Sequence, residues 1–119
     1  MNKTTSRIAM LCGAALLAAC AGGPPPPAWQ ASAQGSLQAF SNAYLSGNTR
    51  VADSEFARAR RELSATGKAG LVAQAELFRC ATRVASLEFD ACSGFAALAA
   101  DAGPAEHAYA AYIAGRWQE

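Results

Sequence analysis

The sequence predicts an all-α protein, a small bundle or array of about five helices, and three observations support that class. Alanine, the strongest helix former, is the commonest residue after position 20. Valine and isoleucine, which favour strands, occur in that part of the chain only at positions 51, 72, 84 and 113. Apolar residues recur at helical spacing in segments that end near Gly47, Gly67 and Gly115.

Residues 1–19 are predicted to be a cleaved signal peptide. Residues 1–7 are polar and carry Lys3 and Arg7 without an acid, and residues 8–19 are an unbroken run of twelve apolar or small residues. A helix needs about 20 apolar residues to cross a bilayer, so this run is too short for a stable span. A basic start, a short apolar run and a small-residue cleavage site together indicate a secretory signal peptide.

The end of this segment, Leu17-Ala18-Ala19-Cys20, resembles the lipobox of bacterial lipoproteins. The resemblance implies cleavage before Cys20, a diacylglycerol thioether on its sulfur and an acyl chain on its amino group; no other cofactor is expected. Family members kept in the inner membrane mainly carry Asp after the lipidated cysteine, whereas this chain has Ala21. The resemblance therefore implies the periplasmic leaflet of the outer membrane in a Gram-negative host. An ordinary signal peptide, or a buried helix that contains a cysteine, is the alternative.

Residues 20–27 are predicted to be a tether between the lipid and the domain. Polyproline II rises about 3.1 Å per residue, so the four prolines at 24–27 span about 12 Å. A ligand for a proline-recognising domain is the alternative interpretation. Residues 28–119 then form a single α-helical periplasmic domain, of a size suited to one small core.

The charge balance indicates which partners to expect. Ten Lys and Arg include Lys3 and Arg7 of the signal peptide, which leaves eight bases against nine acids. Nucleic-acid-binding domains carry a basic excess that neutralises phosphates, so no nucleic acid is expected. The expected partners are the membrane, through the lipid anchor, and a protein of the envelope.

The first two predicted helices cover residues 28–46 and a segment from Asn48 or Thr49 to Gly67. In the first, one face carries Trp29, Ala33, Leu37, Phe40 and Tyr44. Either Asn48 or Thr49 is suited to cap the second helix. The apolar stripe of that second helix consists of Ala52, Phe56, Ala59 and Leu63. Both stripes are predicted to face the core.

The third predicted helix, residues 68–87, is apolar on most sides. Its polar strip consists only of Glu76, Arg79 and Arg83, and Leu87 belongs to an apolar face. A helix that is apolar nearly all round is usually packed between neighbours. We therefore expect this helix to be central.

Two shorter helices are predicted to follow. Ser93 is suited to cap the first of them, with Phe95 and Leu98 directed inward. Pro104 is suited to the first position of the last helix, which presents its apolar face and ends near Gly115. That face consists of Tyr109, Tyr112 and Ile113, and the two tyrosines are assigned to the core. Charged side chains at 101 and 106 and the histidine at 107 exclude a membrane span over residues 94–115.

Residues 36–66 weakly resemble a tetratricopeptide-like helical hairpin. Gly47, Asn48, Ala52, Phe56 and Ala59 are similar to the turn and second half of that repeat. The first half departs from the pattern, with Ser36 where the family has Trp and Phe40 where it has Gly. No second copy follows at the family's period of about 34 residues. The resemblance implies a hairpin with a binding groove, and a generic helix bundle is the alternative.

Two of the four cysteines are available to pair. Cys12 leaves with the signal peptide and Cys20 is acylated, so Cys80 and Cys92 remain, an even number in an oxidising compartment. A disulfide between them is feasible if residues 88–92 fold back along the third helix. Two buried free thiols, or a redox or metal role, are the alternatives.

Few residues suggest a catalytic or ligand-binding role. Arg58, Arg60 and Arg61 form a basic cluster that is either a solvated helix face, paired with Glu55 and Glu62, or a site for an anionic partner. His107 could act as a base for a cysteine thiol, but a lone histidine in an alanine-rich helix is usually inert. The sequence has no nucleophile elbow, Gly-rich phosphate loop or paired zinc ligands, so no enzyme, metal site or small-molecule substrate is expected.

The sequence thus predicts a lipid-anchored, non-enzymatic scaffold or accessory subunit of a cell-envelope complex that binds through the groove or outer face of a helical hairpin. The alternative is a protein that binds lipopolysaccharide or peptidoglycan through its arginine cluster. A third hypothesis is an enzyme that uses Cys80 or Cys92.

Overall fold

The computed structural model describes residues 22–116, and within them every regular element is helical. The elements are α1 (Ala28–Leu45), α2 (Thr49–Ser64), α3 (Ala69–Ala85), α4 (Ser93–Ala96) and α5 (Pro104–Ile113), with a 3₁₀ turn at Ala99–Asp101. The predicted all-α class, with about five helices, is confirmed. The predicted signal peptide and Cys20 lie outside the described residues.

Helices α1 and α2 form a hairpin because local signals stop one helix and start the next. Gly47 adopts φ +81°, a conformation that glycine accepts without a steric penalty. Its N–H donates to Tyr44 O at 3.0 Å, and the N–H of Asn48 donates to Ala43 O at 2.8 Å. The Asn48 side chain then accepts from Val51 N–H at 3.3 Å, so Asn48 caps α2.

The hairpin supplies half of the buried apolar residues in the part of the chain that the structure describes. All four residues of the predicted α2 stripe are buried: Ala52, Phe56, Ala59 and Leu63. Phe40 of α1 is only 2% exposed, and its ring centroid lies 5.4 Å from that of Phe56. Burying such a side chain contributes about 1.5–3 kcal/mol relative to leaving it in water. The hairpin is therefore held mainly by the hydrophobic effect.

Helix α3 is central, as predicted, because it packs against α1, α2, α4, α5 and the 3₁₀ turn. Val72 and Ala75 join the core of the hairpin. Ala73 and Leu77 form a second cluster with Phe95 of α4, against which Ala110 and Ile113 of α5 pack. One helix thus connects two apolar clusters.

Two predictions about α3 are wrong. The helix ends at Ala85 rather than Leu87, and Leu87 is 80% exposed instead of belonging to an apolar face. Glu76 does not lie on an exposed polar strip: it is 8% exposed, because α2 and α4 approach it from outside the helix. The helical period identifies a face but cannot show which neighbours will cover it.

The last two helices also differ from the prediction. Cys92, not Ser93, occupies the N-terminal cap position of α4, and Ser93 is the first helical residue. Tyr109 and Tyr112 are 44% and 60% exposed, so they are not core residues. Their rings stack on each other at the surface, with centroids 6.4 Å apart. Phe95 is buried and Pro104 opens α5, both as predicted.

Within residues 22–116, no helix has both the length and the apolar character that crossing a bilayer requires.

Candidate functional site

An apolar groove with a volume of about 510 Å³ lies between α1 and α3. We call it the α1/α3 groove. Its large apolar side chains are Trp29, Leu37, Leu63, Leu71 and Phe78. Three amide side chains also line it, those of Gln30, Gln34 and Gln74. Lys68 is the only charged residue among those that line the groove. A protein segment with an apolar face fits this combination, because amides can bond the segment's polar groups.

The groove exists because short side chains lie opposite each other where the two helices meet. Ala33 and Ala75 are each 2% exposed and bring the backbones together, while larger side chains stand at the edges. Phe78 remains 37% exposed, and Trp29 and Leu37 are half-buried. Trp29 and Leu37 pack against the core of the hairpin, as predicted, but each keeps part of its surface accessible. Ligand sites in proteins are commonly concave and lined by apolar side chains with a few polar groups.

The rim of the groove is connected to α5 through Gln74. Its Nε2 donates to Glu106 Oε1 at 2.7 Å, and Glu106 Oε2 accepts from Gly103 N–H at 3.0 Å. The hydrogen bond from Gln74 is the main cause that lowers the pKa of Glu106, followed by backbone N–H groups and the nearby His107. These bonds favour the charged carboxylate. They fix the start of α5 relative to the groove.

The predicted arginine cluster does not act as one unit. Arg60 Nε donates to Glu76 Oε1 at 3.1 Å, so Arg60 is directed to a buried acid. Arg58 pairs with Glu55 at 3.9 Å, as predicted; among the described residues no ion pair joins it to Glu62. Arg60 and Arg61 line a shallow depression, which Arg58 does not reach. The three side chains therefore do not form one continuous basic surface.

Glu76 is the centre of a polar link between α2, α3 and α4. Besides Arg60 it contacts Arg79 Nη1 at 3.9 Å, and the guanidinium of Arg79 lies 5.0 Å from the centre of the Phe56 ring. Gly94 of α4 leaves room for the carboxylate, since a Cβ there would lie 2.7 Å from Glu76 Cδ. A buried carboxylate without such partners would be costly. Sequence reasoning missed this link because its members come from three helices.

Cys80 and Cys92 form the predicted disulfide, with a Cα–Cα distance of 5.4 Å. The alternative prediction of two buried free thiols is therefore wrong. The bond fixes residues 86–92, which connect α3 to α4. A cleft of about 130 Å³ borders the disulfide, and its charged side chains include Arg83 and Asp90, which pair at 2.7 Å.

His107 has structural contacts on α5. Its Nε2 lies 3.0 Å from Ala99 O, and its ring packs edge-on against Phe95 with centroids 5.7 Å apart. The sulfurs of Cys80 and Cys92 are joined in the disulfide, so neither of these two residues offers a thiolate that His107 could activate. Within residues 22–116 no three His, Cys, Asp or Glu side chains are grouped as metal ligands.

Compared with known proteins, the chain matches no protein-family model, no curated protein and no solved structure.

Proposed function

We propose that this protein is a lipid-anchored helical scaffold, or accessory subunit, of a cell-envelope complex, and that it binds a protein partner in the α1/α3 groove. The accessible apolar lining of the groove carries the proposal. In this proposal the protein is not an enzyme, needs no cofactor, and is held at the periplasmic leaflet of the outer membrane by acyl chains on Cys20.

The composition of the groove supports a protein partner. When a partner covers Trp29, Leu71 and Phe78, each side chain that becomes fully buried contributes about 1.5–3 kcal/mol to the free energy of binding. Association costs about 4–15 kcal/mol in lost freedom, so these residues alone give weak binding. Attachment of both partners to one membrane raises their effective concentration and offsets part of this cost.

The sequence before α1 supports the anchor. The lipobox-like motif ends at Cys20, and residues 22–27 have no regular secondary structure before α1 begins at Ala28. Two acyl chains suffice for stable membrane attachment. Trp29 lies at the start of α1, so one end of the groove is close to the tether.

Binding of lipopolysaccharide or peptidoglycan through Arg58, Arg60 and Arg61 has less support, because Arg60 is already paired with Glu76.

The test is chemical crosslinking in intact cells before the full-length chain is purified in mild detergent, with Leu71→Gln as the groove variant. Val51→Gln is the matched control, since Val51 is an exposed apolar residue outside the groove. We expect a crosslinked partner, either another protein or a second copy of the chain, with the unchanged chain and with Val51→Gln, and its loss with Leu71→Gln. Equal recovery from all three chains, or no partner from any of them, would contradict the proposal.

A further inference from the structure

Three helices end in the same hydrogen-bonded motif, but one of them uses a leucine where the other two use glycine. After α1 and α5 the left-handed position is Gly47, at φ +81°, and Gly115, at φ +76°. After α3 it is Leu87, at φ +64°. Its N–H donates to Val84 O at 2.9 Å, and the next N–H donates to Arg83 O at 3.0 Å. These are the bonds of the glycine-ended helices, closed by a residue with a side chain.

Leucine is unfavourable at this position, and packing of its side chain does not compensate for the conformational cost. A Cβ is disfavoured in the left-handed region, whereas glycine adopts it readily. Leu87 is 80% exposed, so its side chain gains little burial. A residue held in such a conformation without a structural benefit is a reason to look for a functional one.

Phe89, two residues after Leu87, is also exposed to solvent. Phe89 is 88% exposed, while the acids on either side of it are held by protein groups. Arg83 pairs with Glu88 at 3.3 Å and with Asp90 at 2.7 Å. Tyr44 O–H donates to the Glu88 carboxylate, and the disulfide closes the segment. Residues 87–89 therefore form a fixed apolar projection, which we call the 87–89 knob.

We propose that the 87–89 knob binds the α1/α3 groove of a second copy of this chain. The groove has an apolar lining and Lys68 as its only charged lining residue. The knob has two apolar side chains, and its acid Glu88 shares the single base Arg83 with the adjacent Asp90. Polarity and charge sign are therefore complementary. This inference rests on the proposed function of the groove and names its occupant.

The knob belongs to a different copy from the groove that it fills. It is fixed to the end of α1 through Tyr44, and Leu37 of the groove lies about 10 Å back along the same helix. The bond to Tyr44 and the disulfide prevent the knob from folding back over that distance. A contact between two different surfaces of identical chains is heterologous, so repeated binding gives rings or open rows.

Two side chains bury too little surface for a stable dimer in dilute solution. Copies that share one leaflet meet at effective concentrations that are much higher. We therefore expect this association when the chain is attached to a membrane and little of it in dilute solution.

The experiment uses the full chain in intact cells, with a photo-crosslinking benzoylphenylalanine in place of Phe89. Cells that express heavy-isotope and light-isotope copies together distinguish links between copies from links within one. The same group in place of Tyr109, another exposed aromatic residue, is the control. We expect heavy-to-light links from position 89 to α1 and α3 near Leu37 and Leu71, and none to these residues from position 109. We also expect the link to fall at least five-fold with Leu71→Gln.

A second variant, Leu87→Gly, separates the role of the side chain from folding. We expect its melting temperature to rise by about 4–8 °C, since the strain is relieved in a chain of this size. We expect the crosslink from position 89 to decrease at least five-fold. Links confined to one copy, links to another protein, no link at all, or full linking by Leu87→Gly would overturn the inference. The proposed function would survive these results if purification still recovered a groove-dependent partner, and it would fail separately if Leu71→Gln left that partner bound.

Discussion

The α1–α2 hairpin and the segment after α3 are stabilised by different forces. The hairpin buries Phe40, Phe56 and Leu63, each no more than 7% exposed. By contrast α4 has four residues with one buried side chain, and α5 has no buried side chain. The later segment has only the smaller apolar cluster around Leu77 and Phe95. It is also held by the Cys80–Cys92 disulfide, by the ion pairs of Arg83 and by the Gln74–Glu106 hydrogen bond. Covalent and polar links therefore supplement a small core.

The largest expected effect comes from the core of the hairpin. We expect Phe40→Ala to lower the free energy of unfolding by about 3–5 kcal/mol, because it removes a buried ring and leaves a cavity. Chemical denaturation followed by circular dichroism measures the change. Phe89→Ala is the matched control: Phe89 is 88% exposed, so its removal should change stability little. If the two variants were equally destabilised, the hairpin would not be the main source of stability.

The second effect concerns the disulfide. Replacing Cys80 and Cys92 with Ser should lower stability by about 3 kcal/mol in the chain-entropy model for a loop of this length. Amide hydrogen exchange should show faster opening after residue 85 and a smaller change in residues 28–64. If hydrogen exchange became faster to the same extent in both regions, the disulfide would not be a specific source of stability for the later segment.

A smaller effect, of opposite sign, is expected at the end of α3. Leu87→Gly should raise the free energy of unfolding by about 1 kcal/mol, because glycine tolerates the left-handed conformation. Leu45→Gly is the control, since Leu45 is also exposed but has a right-handed helical backbone at the last position of α1, where glycine should not stabilise the chain. Destabilisation by Leu87→Gly would show that the side chain packs in the folded protein.

The smallest effect is a pH dependence from Glu106. In the folded chain the pKa of Glu106 lies below the ordinary carboxyl value of 4.5, so the charged carboxylate stabilises the folded state at pH values above 4.5. This stabilisation is lost as the pH falls through the lowered pKa. Thermal unfolding from pH 6 to pH 3 should therefore show a steeper loss for the unchanged chain than for Glu106→Gln. Parallel curves would show that the bonds from Gln74 and Gly103 do not stabilise the charged form.

The fold was largely predictable because helical spacing reports which face is buried. Ala52, Phe56, Ala59 and Leu63 share one face of α2, and all four are buried. The same reasoning fails for Tyr109 and Tyr112: spacing cannot show whether another element exists to cover a face. It also fails for Glu76, which α2 and α4 cover from a distance in sequence.

The candidate site was less predictable than the fold. Trp29, Leu37 and Phe78 have the spacing of core residues, and only the packing of α1 against α3 leaves them accessible. The disulfide followed from the number of cysteines and the reach of the chain. One signal for the 87–89 knob was present, apolar residues alternating with acids just before Cys92. Its meaning depends on the backbone conformation at Leu87, which the sequence analysis had placed inside the helix.

The central claim is that the α1/α3 groove binds a protein when the chain is anchored to a membrane. The most direct measurement places a photo-crosslinking benzoylphenylalanine at Leu71 in intact cells and compares the chain with its Cys20→Ala variant. We predict one discrete crosslinked product, which decreases strongly when Cys20 is replaced. A product of equal yield from both chains, or no discrete product from either, would contradict this account.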